Sequence, residues 1–366
     1  MNVLIQEKNT KVNKRILWWG RHGNYGPNYP RNRTIIQCLK SMGHEVIEFQ
    51  PRFSKLADLE VRFKNFKTID LVWVPCFRQR DISAASRWAK KHNLPLIFDP
   101  LISAYDKRVH EKKKYAPESK QAKRLLNWEK KRFALADFII ADTECHKQYF
   151  IEQLGCHEDR VKVIPVSAEE AFFFPEKPKQ NDILEVLFFG TFISLQGPKH
   201  IAEAIQYYNG PPIKLVFLGD GPERKQCETI VQQTSNRNVS VQFEDWIPFH
   251  DLPERIRRSD ICLGIFGVGE KSHRVIPNKV YQSLACGKPV ITMKSDAYPG
   301  KLLEQENQGI MFCEAGNLES IASSIMKLIT HIEQGKYDAT SPRSIYDQYF
   351  SNEVIKSKLV EIINQT

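Results

Sequence analysis

Residues 183–220 read ILEVLFFGTFISLQGPKHIAEAIQYYNGPPIKLVFLGD. An apolar run ends on Gly190. A stretch opened by Gly197-Pro198 then carries helix-spaced apolar residues to Tyr208. A Gly-Pro-Pro break follows, and a second apolar run ends on Gly219-Asp220. Strand, helix and strand in that order predict parallel strands joined by a covering helix.

The same alternation extends in both directions. Downstream, PERKQCETIVQQ (222–233), DLPERIRRS (251–259), PNKVYQSLAC (277–286) and NLESIASSIMKLITHIEQG (317–335) predict helices. Between them VSVQFE (239–244), DICLGIF (260–266), PVITM (289–293) and IMFCE (310–314) predict strands. Upstream, strands are predicted at RILWWG (15–20), HEVIEF (44–49), IDLVWV (69–74), LPLIFD (94–99), DFIIAD (137–142) and RVKVIPV (160–166), with helices near 31–42, 81–92, 116–135 and 144–155. FFFPEKPKQND (172–182) holds two prolines and reads as a linker. The expected fold class is α/β, with two doubly wound, Rossmann-like domains facing a central cleft. The first would span 1–172 and the second 180–344, with a final helix over 345–366 packing back on the first.

The 366 residues exceed what one core usually serves. A hydrophobic share of 42% and a charged share of 26% describe an ordinary globular chain. The opening stretch MNVLIQEKNTKVNKR lacks a signal-peptide core, and no apolar run reaches the roughly 18 residues a spanning helix needs. Eight cysteines without a CxxC pair read as buried, reduced thiols and argue against a zinc ribbon. The expected location is cytoplasmic.

Charge is uneven. Residues 1–170 hold 32 Lys+Arg against 20 Asp+Glu, and residues 171–366 hold 21 against 23, giving +12 and −2 of a net +10. The excess gathers in KRVHEKKKYAPESKQAKRLLNWEKKR (107–132), where Leu125, Leu126 and Trp128 lie among the cations. One reading is peripheral attachment to an anionic membrane surface; the other is a solvated helix whose apolar residues belong to the core. Nucleic acid is not expected, because no recognition motif is visible.

Around PNKVYQSLAC the chemistry becomes specific. A helix start leaves four backbone N–H groups unpaired at the positive end of the dipole. Arg274 and Lys279 beside the Asn278 start are unfavourable unless an anion binds there, which points to phosphate. Gly190-Thr191 ends a strand on a residue that lets backbone approach a ligand. LGDGPERK (218–225) is a tight turn that would frame the cleft with Asp220 or act as a plain connector. In the first half, GRHGNYGPNYPRNR (20–33) brings Gly23 and Gly26 toward the cleft and sets Arg31 and Arg33 at a helix start, for an anion or for ion pairs within the sheet. Asp99 ends a strand, with Ser103, Tyr105 and Asp106 close behind; it reads as a site acid or a capping residue.

FFGTFISLQG, LVFLGDGPERKQ, EDWIPFHDLPERIRRSDICLGIF and PNKVYQSLACGKPVI, in that order, resemble the donor-binding domain of the family 4 glycosyltransferases, which have the GT-B fold. GRHGNYGPNYPRNR and ADFIIADTECHKQYF with RVKVIPVSAEEAFFFPEKP resemble that family's acceptor side. The resemblance implies sugar transfer from a nucleotide-diphosphate sugar without a metal or other cofactor, with retained anomeric configuration, in surface polysaccharide or glycolipid synthesis. Read from the residues themselves, Asp99, near where many members of that family have a histidine, and Arg274 and Lys279 at the helix start are the candidate catalytic residues. Gly23, Gly26, Gly190, Thr191, Asp220, Ile247, Asn278 and Gln282 would bind the donor, and the acceptor would be lipid-linked. The chain also departs from the pattern. Arg274 and Gln282 stand where the family has two glutamates, and Thr191 and Gln196 where it has an arginine and a lysine. Arg274 and Lys279, with Lys199, would take over the diphosphate charge. A sugar-nucleotide 2-epimerase of the same fold and a weakly catalytic nucleotide-sugar binder are the alternatives.

Overall fold

The computed structural model describes residues 13–20, 30–64, 66, 68–177, 181–304 and 308–366. Two six-stranded parallel sheets form the frame. The first contains β1 (Arg15–Trp19), β2 (Glu45–Phe49), β3 (Leu71–Val74), β4 (Leu96–Phe98), β5 (Phe138–Ala141) and β6 (Val161–Val163), in the order β2-β1-β3-β4-β5-β6. The second contains β7 (Leu184–Phe189), β8 (Ile213–Leu218), β9 (Val239–Glu244), β10 (Ile261–Leu263), β11 (Val290–Met293) and β12 (Ile310–Cys313), in the order β12-β11-β10-β7-β8-β9. Strands such as Leu71–Val74 and Val290–Met293 are buried throughout, as sheets covered on both faces require.

Each sheet reverses its winding once, at β1/β3 in the first and at β7/β10 in the second. Ligands of open α/β sheets sit beyond the strand ends at such points. Side-chain caps fix helix starts on either side of β5. Thr143 Oγ1 accepts the His146 N–H at 3.1 Å, and Ser119 Oγ accepts that of Ala122 at 3.1 Å.

The sequence reads residues 345–366 as one helix, but the chain forms two, Ser341–Tyr349 and Asn352–Ile363. Phe350 and Ser351 leave helical geometry, and Ser351 Oγ accepts the Val354 N–H to start the second. Tyr346 of the former helix bonds its hydroxyl to Ser167 Oγ at 2.9 Å. Ile355, Leu359, Ile362 and Ile363 of the latter join Ile16, Trp18, Ile35 and Ile140 in one core.

The basic stretch is also more ordinary than its composition. Lys120–Phe133 is a helix whose Leu125 and Leu126 turn inward toward Tyr105 and Val109. Trp128 is half-buried, with the Arg132 guanidinium 3.7 Å above its ring. Buried Glu129 accepts hydrogen bonds from Ser103 Oγ at 2.6 Å, Ala104 N–H at 2.6 Å and Tyr105 N–H at 2.9 Å, so it caps the neighbouring turn. Burial pushes its carboxyl above the usual range.

Candidate functional site

A cleft of about 410 Å³ lies between the C-terminal ends of the two sheets. The first domain lines it with residues that follow its strands, among them Leu101, Asp142 and Val166. The second contributes Gly190 and Thr191 after β7, Gln196, and the helix start Asn278, Lys279 and Gln282.

Lys279 is the unusual member. Its side chain is only 5% exposed, and Nζ has no hydrogen-bond partner. Burial drives its pKa well below the ordinary lysine value. The Phe188 ring, 3.7 Å from Nζ, provides some compensation for a positive charge. Gly190 explains how the ammonium reaches the cleft wall. A Cβ there would lie 3.0 Å from Lys279 Nζ and 2.9 Å from Gln196 Oε1, another buried atom without a partner. Gly219 packs equally tightly, since its Cβ would fall 2.2 Å from the Gly190 carbonyl oxygen. The two glycine strand ends thus let an ammonium, an amide oxygen and a helix N-terminus come together on the cleft wall.

Thr191, Asn278 and Gln282 also line this wall. Gly23 and Gly26 lie outside the described residues. Asp220, Ile247, Asp99 and Arg274 are not among the lining residues. Asp220 is exposed, and its carboxylate accepts the Gly221 N–H at 2.7 Å. Ile247 turns toward the core, while Trp246 and Phe249 beside it face the cleft. Asp99 is 1% exposed and accepts from Arg31 Nε at 3.0 Å. Burial raises its pKa, and Arg31 opposes that rise. Arg33 makes a fork on Glu169 at 2.5 and 2.7 Å, so both arginines at that helix start serve ion pairs within the protein.

Arg274 ties the domains together. Its Nη2 donates to Asp106 Oδ1 at 2.6 Å, and its guanidinium lies 4.9 Å from the centre of the Tyr149 ring. Its carbonyl accepts from Thr143 Oγ1 at 2.7 Å. Lys271, which lines the cleft, pairs with Glu111 of the first domain.

Asp142 escapes a sequence reading. Among the described residues it is the one carboxylate lining the cleft. One of its oxygens is held by His146 Nδ1, and His146 Nε2 is buried without a partner. Its place at the end of β5 was the available signal, because strand ends in this architecture face the ligand. Trp246 was hidden for another reason: adjacent residues of an extended segment point oppositely, so one position decides whether it or Ile247 meets the cleft.

Residues 184–331 match the family described as Glycosyl transferases group 1. No curated protein matches the chain. Among solved structures, HepE of Anabaena in complex with UDP is similar at 15% identity and a TM-score of 0.68, with 96% of this chain and 100% of that chain covered. Sucrose-phosphate synthase of Thermosynechococcus elongatus gives 15%, 0.70, and 96% and 98%. The lipopolysaccharide outer core galactosyltransferase WaaB gives 12%, 0.63, and 96% and 99%. The fold is GT-B. In this GT-B chain the unpaired lysine stands on the wall supplied by the second domain, within the segment that matches the family.

Proposed function

We propose that the protein transfers a sugar from a nucleotide-diphosphate sugar to an acceptor, with the diphosphate seated on Lys279 and the start of the helix Asn278–Ala285. The observation that carries this reading is the buried, unpartnered Nζ beside Gly190. A lone buried ammonium is costly, and an anion placed against it removes the cost. Charge on a departing diphosphate grows as the glycosidic bond breaks, so a fixed cation and backbone N–H groups there act most strongly at the transition state. The reading assigns that neutralisation to these groups rather than to a metal ion. HepE, a structural neighbour, is recorded with UDP-glucose, which supports a sugar-nucleotide donor here.

Gln282 is assigned to the ribose hydroxyls, and Trp246 supplies a flat apolar face for the base. Asp142 is the carboxylate placed to meet an acceptor hydroxyl or the developing positive charge on the sugar. Asp99 and Arg274 lie behind the lining and act by positioning: Asp99 holds Arg31, and Arg274 holds the domains at one spacing. Retention of configuration and a role in surface polysaccharide or glycolipid synthesis complete the proposal, and both rest on family resemblance.

The test is incubation with a panel of sugar nucleotides and candidate acceptors. Acceptor-dependent release of nucleoside diphosphate, lost in Lys279→Met, is the expected result. Isomerised donor without release would mean an epimerase. Nucleotide binding without either product would mean a binder.

A further inference from the structure

The strongest unassigned surface lies at Phe53–Phe63. Three consecutive helical turns, Ser54–Leu56, Ala57–Glu60 and Val61–Phe63, leave the C-terminal end of β2. Ala57 and Val61 are buried at 0% and 2% and bind the segment to the first domain's core. A surface helix ordinarily turns polar side chains outward. Here the outward positions carry Phe53, Leu56, Leu59 and Phe63, exposed at 65%, 56%, 45% and 90%. Spaced three, three and four residues apart, they are the large apolar side chains this segment turns to solvent. Apolar exposure of this kind marks an interaction surface.

Charge selects the partner. Arg52, Lys55, Arg62 and Lys64 are all exposed on the same short segment. Its two acids are both engaged in hydrogen bonds. Asp58 accepts from Arg87 at 2.9 and 2.7 Å, and Glu60 accepts the Arg52 backbone N–H at 2.7 Å. A second copy of the chain meeting this face would bring like charges together, which disfavours self-pairing. An anionic bilayer matches both features, since phenylalanine and leucine enter the acyl boundary while lysine and arginine meet the head groups.

We propose that this face docks the protein peripherally on an anionic phospholipid surface. It follows β2, packs along the helix Ile82–Lys91 through Asp58 and Arg87, and contributes no residue to the cleft lining. Lys107–Arg132 plays the lesser part, because its Leu125 and Leu126 are turned inward.

Co-sedimentation of the full chain with phosphatidylcholine vesicles, with and without phosphatidylglycerol, tests this. No sugar nucleotide is present, so the result is independent of the transfer reading. Binding is expected only with phosphatidylglycerol and should weaken as salt rises. Phe53→Ser with Phe63→Ser should lower partitioning at least about tenfold at low salt. Lys55→Glu with Arg62→Glu should lower it about tenfold or more. Replacing Lys112, Lys113 and Lys114 by Glu should change it by less than about threefold. All are exposed sites, and unchanged melting curves would show the variants folded. Absence of binding at low salt, full binding by the phenylalanine variant, or a larger loss in the Lys112–Lys114 variant would overturn the proposal. So would a lipid-independent dimer in light scattering that the phenylalanine changes abolish.

Discussion

Arg31 and Lys279 occupy equivalent places and have opposite fates. Each is the second residue of a helix facing the cleft side of its own domain, and each is buried, at 0% and 5% exposure. Arg31 meets its counter-charge within the protein in Asp99 and donates to the carbonyls of Ile164 and Pro165 at 3.0 and 2.7 Å, with only Nη2 left without a partner. The Lys279 ammonium has no hydrogen-bond partner. The difference teaches how to tell a structural cation from one kept for a ligand. Position on the helix does not decide it; whether the fold supplies the counter-charge does. Domain charge misleads in the same way. The basic first half supplies the cleft's carboxylate, Asp142, while the second half, at −2, supplies its two lysines.

Removing the counter-charge from Arg31 should have the largest effect. Asp99→Ala leaves a buried guanidinium uncompensated and should cost roughly 3–5 kcal/mol in urea unfolding. Adding Arg31→Met should recover most of it. An Asp99→Ala protein of full stability would break the contrast, because Arg31 would then be as free as Lys279.

Lys279→Met is the complementary change. It should slow transfer by about 30–1,000-fold, or roughly 2–4 kcal/mol in the barrier. The melting temperature should stay level or rise, because an unpaired buried ammonium is replaced by an apolar chain of similar length. Activity lost together with stability would mean that Lys279 is structural after all.

Gln282 sharpens the picture of the same wall. Gln282→Leu should weaken nucleotide binding by roughly 1–3 kcal/mol, the cost of leaving sugar hydroxyls unpaired. Gln282→Glu should bind equally or more tightly, as calorimetry can show.

The smallest effect is a slope. The folded pKa of Lys279 lies below its unfolded value. Between the two, the unfolded chain holds more protons, so Lys279 makes stability rise with pH across that window. Wild-type unfolding free energy should climb with pH below the ordinary lysine range more steeply than that of Lys279→Met. Identical slopes would mean that the ammonium is not desolvated.

The frame was readable because its signals are local. Apolar runs, capping residues and proline breaks fixed strands and helices to within a few residues. The final helix was misjudged because the break at Phe350-Ser351 carries neither glycine nor proline. The site was legible where it follows a strand end or opens a helix, as with Gly190, Thr191, Asn278, Lys279 and Gln282. It was illegible where a partner arrives from far along the chain. Nothing near Asp99 announces Arg31, and nothing near Arg274 announces Asp106, 168 residues away. The outward apolar face at Phe53–Phe63 was missed for the opposite reason: its spacing resembles an ordinary buried helix face, and only exposure distinguishes the two.

The helix Asn352–Ile363 also imposes an order on synthesis. Its isoleucines and Leu359 complete the core around Ile16, Trp18 and Ile140. As the chain leaves the ribosome, the first domain is made early yet keeps this apolar face uncovered while the whole second domain is translated. A chain that stops before this helix therefore leaves the first domain's core uncovered, so a truncation in the second half harms both domains.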